Sequence, residues 1–334
     1  LKDKQNGVII KNESTNKIAD YVTEKLKNGE KIISPELSKI SAEVFGGTMA
    51  DNAYSVKDMY DAMELGVNKY ILSLKDVSPE KMLNIMELLP AQTKRTEDMI
   101  KFQQFSTPPS IAFLANYAAN VNANDIMLEP SAGIGGIAVF AKKDGAMVYA
   151  NELDNRRLEI LKNMPFDGLF NENAEQLDNI LGGKIEPTVI VMNPPFSSSS
   201  ERNIQNTKIG AKHIEQALKI LAPDGRLVAI VGHGMNDGAP AFRGWWKDIK
   251  SKYNVKANIG INGKNYSKYG TNFDIQMLVI DKNGPTVHTE TGYVDTLQEL
   301  QEKLEGIRNE RPIIDYSSNE QRTFAAVRSE AAQT

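Results

Sequence analysis

From residue 126 to residue 280 the chain alternates short apolar, β-branched runs with segments of helical period. The runs 126–128, 147–151, 169–170, 188–192 and 226–232 have the length and composition of buried strands. Between them, 136–143, 155–163, 175–181, 211–221 and 241–253 read as helices. A strand that must cross through a helix to reach the next strand pairs with it in parallel, and the helices cover the sheet faces. The pattern therefore predicts a doubly wound, mostly parallel α/β sheet. The last two runs, 255–261 and 275–280, have no helix between them. They are expected as an antiparallel pair at the sheet edge, which makes the sheet mixed.

Residues 1–100 read as a helical region. Ile18, Tyr21, Val22 and Leu26 recur at helical spacing. Ser34-Pro35-Glu36 and Ser78-Pro79-Glu80 each place a Ser cap before a first-turn proline, and 55–65 reads as a further helix. No catalytic chemistry is legible there, so a helical cap or docking role is expected. Pro108 opens a helix over 110–119, an amphipathic helix is expected over 294–308, and a polar tail follows from Arg311. The expected division is a helical region at 1–100, an α/β domain at 101–285, and a C-terminal helix and tail at 286–334.

Composition removes several classes of function. With no cysteine among 334 residues, disulfides and Cys-ligated zinc are excluded. Three histidines, at 213, 233 and 288, make a His-based metal site an unlikely use of this chain, and no metal is expected. No apolar run has the roughly 18 residues of a membrane helix. The start, Leu1-Lys2-Asp3-Lys4, lacks the apolar core of a signal peptide and an initiator Met. A cytoplasmic chain, processed or cut from a longer protein, is expected. The net charge of −4 is acidic for a protein that acts on nucleic acid alone. Yet Arg243, Lys247, Lys250, Lys252, Lys256, Lys264 and Lys268 are interleaved with Trp245, Trp246, Tyr253, Tyr266 and Tyr269. That run suits a phosphate backbone with stackable bases, or a solvated helix with the tryptophans in the core.

Asn193-Pro194-Pro195-Phe196 follows the strand at 188–192, where open α/β sheets place their ligands. The Asn193 amide oxygen and a nearby backbone carbonyl can accept hydrogen bonds from one amino group. Pro194 and Pro195 stiffen the turn and add no N–H groups. Phe196 offers a face for a planar substrate. The loop after the first strand holds Glu129, Ser131, Gly133 and Gly135. The glycines allow a tight turn and close ligand approach, while Glu129 suits an ammonium and repels a pyrophosphate. Glu152, 23 residues after Glu129, has the spacing of a ribose-binding acid. Asn173 is placed either to meet an adenine edge or to cap the following helix.

These blocks together resemble the Rossmann-like, S-adenosylmethionine-dependent DNA adenine-N6 methyltransferases. Glu129 to Gly135 is similar to their cofactor loop, Asn151-Glu152 to their ribose-binding acid and Asn193 to Phe196 to their catalytic motif. Phe105-Ser106-Thr107-Pro108-Pro109 lies upstream, in the order used by the gamma class, and resembles the segment that closes over the methionine end of the cofactor. Tyr266 to Asn272 resembles a late loop that helps hold the flipped base. The resemblance covers about 101–282 and is nearest to phage and mobile-element methylases, which are often fused to helicase-like regions. It implies S-adenosylmethionine as cofactor, with Thr107, Glu129, Ser131, Gly133, Gly135, Glu152 and Asn173 around it. It also implies DNA as partner, catalysis by Asn193, Pro194, Pro195 and Phe196, and a restriction–modification setting. Two departures stand out. Family members often have Asp where Asn173 stands, and they usually carry a large recognition domain where about 50 residues follow here. Recognition then falls to the helical N-terminus, the 197–210 loop, or a separate or fused region or partner, or sequence preference is weak. The rivals are an RNA base-amine methyltransferase, a protein glutamine methyltransferase (whose motif usually ends in Tyr) and an inactive nucleic-acid-binding scaffold.

Overall fold

A computed structural model describes residues 2–92, 106–195, 198–199, 205–206, 208–270 and 272–314. Four helices come first: α1 (Lys2–Lys27), α2 (Ser34–Phe45), α3 (Val56–Ser73) and α4 (Pro79–Leu88). Helix α3 starts with a capping box, in which the Ser55 side chain accepts from the Asp58 N–H and Asp58 accepts from the Ser55 N–H. Ser78 caps α4 by accepting from the Lys81 N–H. Ser34 does not cap α2. Ile33 takes the cap position, and Ser34 is already helical, with Pro35 inside the first turn.

The α/β part runs α5 (Pro109–Ala119), β1 (Ile126–Glu129), α6 (Ala138–Lys143), β2 (Met147–Asn151), α7 (Asn155–Leu161), β3 (Gly168–Phe170), α8 (Leu177–Leu181) and β4 (Val189–Met192). The paired dipeptides β5 (Ser198–Ser199) and β6 (Gln205–Asn206) follow. Then come α9 (Ile209–Ile220), β7 (Arg226–Gly232), α10 (Arg243–Lys252), β8 (Asn254–Ile261), β9 (Ile275–Asp281), β10 (Glu290–Val294) and α11 (Leu297–Asn309). Eight strands form one sheet in the order β10-β8-β9-β7-β4-β1-β2-β3. All neighbours are parallel except at β9, which runs antiparallel to both β7 and β8. This is the doubly wound mixed sheet that the alternation predicts. The edge differs: β10 pairs in parallel with β8 and displaces it from the margin, and Val294 ends that strand instead of opening a helix. The run Glu290–Val294 contains Gly292 and has little apolar content, so its strand character comes from pairing and not from its own pattern.

Because side chains alternate along a strand, β1 and β4 feed both faces. Met127, Val189 and Val191 enter one apolar cluster, Leu128, Ile190 and Met192 the other. The N-terminal helices share the first cluster with α5 and α6. Arg226, fully buried, pins the antiparallel insertion: its guanidinium donates to both Asp281 oxygens at 2.7 and 2.8 Å and to the Ala118 and Ile307 carbonyls. It thereby ties β7 and β9 to the C-terminal turns of α5 and α11. Among the described residues no helix is long and apolar enough to cross a membrane, and no group of three or more His, Asp or Glu side chains is arranged to hold a metal ion.

Candidate active site

The chain leaves β1 toward β2 and β3 on one side and returns to β4 on the other, so the sheet's switch point lies between β1 and β4. The loops leaving β1, β2, β3 and β4 all end there, around a cavity of about 360 Å³. Thr107, Glu129, Ser131, Gly133, Glu152, Asn173, Asn193 and Pro195 all line it. Residues scattered over 88 positions of sequence thus share one site because each sits just past a strand or at a helix start.

The first loop turns sharply. Gly133 has φ +56°, and its N–H donates to Glu152 Oε2 at 2.7 Å. Glu152 Oε1 accepts from the Asp154 N–H, also at 2.7 Å. Two backbone donors therefore fix this carboxylate, and each oxygen keeps a lone pair for a ligand hydroxyl. Burial raises its pKa, against the pull of Arg157 and the two N–H groups. Glu129 is 2% exposed and accepts from the Ala138 N–H at the start of α6. Burial lifts its pKa well above the usual carboxylate range. Gly135 has a different place from the one its motif implies. It does not line the cavity; at φ +78°, a Cβ there would stand 2.7 Å from the Phe166 ring. Its smallness serves the packing of the loop on α7.

Asn173 plays the capping part and keeps the other open. Its Oδ1 accepts from the Glu175 N–H at 3.0 Å, and the residue lines the cavity with its Nδ2 not used by that bond. At the far wall, Asn193 Nδ2 donates to Thr107 Oγ1 at 2.8 Å. That bond orients the amide and leaves Oδ1 as an acceptor. Pro195 lines the cavity beside it, and Pro194 is buried behind. Phe196 lies outside the described residues, as do Phe105, Thr271 and most of the 197–207 loop.

The structure gives one motif residue, Asn151, a task of its own and adds His213 and three residues of α3, which the motifs do not contain. Asn151 Nδ2 donates to the Pro130 and Glu172 carbonyls while its Oδ1 accepts from the Glu172 N–H, clamping the β1 and β3 loops together. His213, on α9, lines the cavity; burial lowers its pKa to about 4, and its Nδ1 has no hydrogen-bond partner among the described residues. Glu64, Val67 and Asn68 of α3 form a further wall. Asp58, Asp61 and Glu64 form an acidic stripe at helical spacing, but the sequence does not show that Arg156-Arg157 are its counterpart. Arg156 binds Asp58 and Asp61, Arg157 binds Asp61, and Lys57 binds Asp154.

In the basic and aromatic run, one tryptophan is in the core and three of the lysines have acidic partners. Trp246 is buried and donates to the Met235 and Asn236 carbonyls, and Trp245 donates to Glu215. Lys250, Lys252 and Lys256 pair with Asp237, Asp248 and Glu310. From the late loop, Tyr266 is fully buried, and Tyr269 reaches the cavity. Burial raises the pKa of both phenols.

No family model matches the chain, and no curated protein matches it in sequence. Solved structures do resemble it. A modification subunit described with a type I restriction enzyme of Vibrio vulnificus superposes with a TM-score of 0.52 at 16% identity, over 77% of this chain and 62% of that one. A protein of Listeria monocytogenes described as a class I S-adenosylmethionine-dependent methyltransferase superposes with a TM-score of 0.50 at 14% identity, over 89% of this chain and 99% of that one. The present chain therefore spans less than two thirds of the Vibrio subunit. What the likeness establishes is the fold: a Rossmann-like α/β sheet of the kind found in these two proteins, with the cavity at its switch point.

Proposed function

We propose that the protein transfers a methyl group from S-adenosylmethionine to the exocyclic N6 of an adenine in DNA. The observation that carries this reading is that the Asn193 turn and the Glu129–Glu152 pair open into one cavity. The donor set fits the cofactor's charge. Five carboxylates, from Glu64, Glu129, Glu152, Glu172 and Glu175, line the cavity with one arginine, Arg157, which Asp61 neutralises. Such a lining favours a ligand bearing sulfonium and ammonium charges and disfavours a dinucleotide pyrophosphate. The fold shared with a protein described as an S-adenosylmethionine-dependent methyltransferase and with one described as a restriction-enzyme modification subunit agrees with it.

When bound, the cofactor supplies an electrophilic sulfonium methyl group. Glu152 would accept from ribose hydroxyls, Asn173 would meet the adenine ring through its amide, and Glu129 would hold the ammonium end. The target adenine is flipped out, since its amino group is buried in a duplex. Asn193 Oδ1 and the Pro194 carbonyl would accept from its two N–H groups, and the resemblance gives Phe196 the stacking role. The nitrogen lone pair would form the new N–C bond as the S–C bond of the sulfonium breaks, the neutral thioether would leave, and the displaced N6 proton would pass to solvent; the residues' part is orientation and fixed dipoles. We assign the chemistry to 101–285. Target reading is not assigned to β10 and α11, which pack on the sheet and on α5.

The test is transfer of labelled methyl from S-adenosylmethionine into separate DNA, RNA and protein pools, with Asn193→Ala as control. Label is expected in DNA as N6-methyladenine, reduced at least about 100-fold by the substitution. Label confined to RNA, or equal label with the variant, overturns the reading.

A further inference from the structure

Helix α3 lies outside the sheet yet walls the cavity, and its Glu64 is held there by two bonds. Oε1 accepts from Gln92 Nε2 and Oε2 from Ser106 Oγ, both at 2.8 Å. One lone pair on each oxygen remains for a donor inside the cavity. Ser106 precedes Thr107, which holds Asn193, so Glu64 stands on the side of the reacting turn. Around it are Asp61 on its own helix, Arg157 on α7, Tyr269 from the late loop, and Glu129 and Glu152 in the same cavity. Arg157 is committed to Asp61 at 3.1 Å, and among the described residues no ion pair joins Glu64 to a cation.

We infer that Glu64 receives the α-ammonium group at the methionyl end of the cofactor, which makes the N-terminal helical region part of the cofactor site. This rests on the S-adenosylmethionine reading above. An ammonium carries three donors, so Glu64 and Glu129 can share it from two walls. The bond would join α3 to the sheet through the ligand, beside the direct link from Asn68 Nδ2 to the Ile134 carbonyl at 2.7 Å. Burial and the neighbouring Asp61 charge push the Glu64 pKa up to about 7 in the free protein. A ligand ammonium favours the ionised form, so binding below that pH releases a proton.

The experiment is calorimetric titration of the full chain and its Glu64→Gln variant with two ligands. One is S-adenosylhomocysteine; the other is 5′-methylthioadenosine, which keeps the nucleoside and sulfur but has no amino-acid end. Glutamine preserves the size; its Oε1 can still accept from Gln92, and its Nε2 can donate to the Ser106 hydroxyl, which also accepts. The variant is expected to bind S-adenosylhomocysteine about 10- to 100-fold more weakly and 5′-methylthioadenosine unchanged. Wild-type affinity for S-adenosylhomocysteine should climb as pH rises through about 7, and the variant should lose that climb. Equal weakening toward both ligands, or none toward either, overturns the role of Glu64 and leaves the cofactor reading standing. A wild-type chain that binds neither ligand overturns both.

Discussion

Two glycines of one loop have separate duties. Gly135 stands where any side chain would collide with Phe166, at a φ of +78° that side chains rarely adopt. Gly135→Ala should cost about 2–4 kcal/mol, read as a shift in the urea midpoint. Gly133 has only the Arg157 guanidinium within 4 Å of its missing Cβ, at 3.6 Å, and it lines the cavity. Gly133→Ala should cost about 1 kcal/mol of backbone strain and mainly weaken S-adenosylhomocysteine binding. If the two variants lose stability equally, the loop packs uniformly and the distinction fails. The motif pattern treats the glycines alike because it records spacing. Which neighbour occupies the space beside each depends on Phe166 and Leu161, which approach from around α7.

At the scale of elements, α3 shows where reading a region in isolation falls short. Its apolar face packs on α1, and its acidic stripe meets α7 across almost a hundred residues of chain. Asp61 is the centre of that stripe, 1% exposed and bound by both Arg156 and Arg157. Asp61→Asn should destabilise the protein by about 3–5 kcal/mol, because it leaves the buried Arg157 without its anion. Asp58→Asn should cost less, since its partner Arg156 is 31% exposed. Chemical denaturation of both variants checks the order; a reversed order would mean that α3 is held by its apolar face alone. A catalytic role was not legible in residues 1–100 because α3 carries no motif. Its acids acquire meaning only opposite Arg156-Arg157 and beside Ser106.

For the whole molecule, the buried acids make stability depend on pH. The folded chain holds the Glu64 proton up to about pH 7, against an ordinary value of 4.5. Protonation therefore favours the folded state. This contribution is complete below the ordinary value and is lost as pH rises toward the folded one. Glu129 and Glu152 act in the same direction, since burial raises both. His213 acts in the opposite one: its folded pKa of about 4 lies below the usual 6.5, so its contribution is lost as pH falls between those values. The ligand-free protein should therefore lose thermal stability from about pH 5 toward pH 7, with Glu64→Gln removing part of the slope. Calorimetric melting across that range tests it, and a wild-type slope unchanged in the variant would mean that Glu64 is not the group responsible. Over the same range ligand affinity should rise, so stability and binding move apart.

Periodicity placed the strands leading to the site, and short motifs placed Glu129, Glu152 and Asn193 just beyond them. Those features depend on backbone chirality, side-chain alternation and local turns, which act over a few residues. The same reasoning located the cap at Ser78 by its hydroxyl but misplaced the one at Ser34, where Ile33 takes the cap position. Strand β10 was not legible, since a run with few apolar residues becomes a strand only where β8 offers an unpaired edge. Nor could spacing choose between a nucleic-acid surface and a solvated helix for 243–268. Asp237, Asp248 and Glu310 pair with Lys250, Lys252 and Lys256, and two of those acids come from outside α10. Glu64 is the clearest case: its contact with Ser106 spans 42 residues. A pairing at that distance is formed by packing two apolar surfaces, and packing is not written in the spacing of either segment.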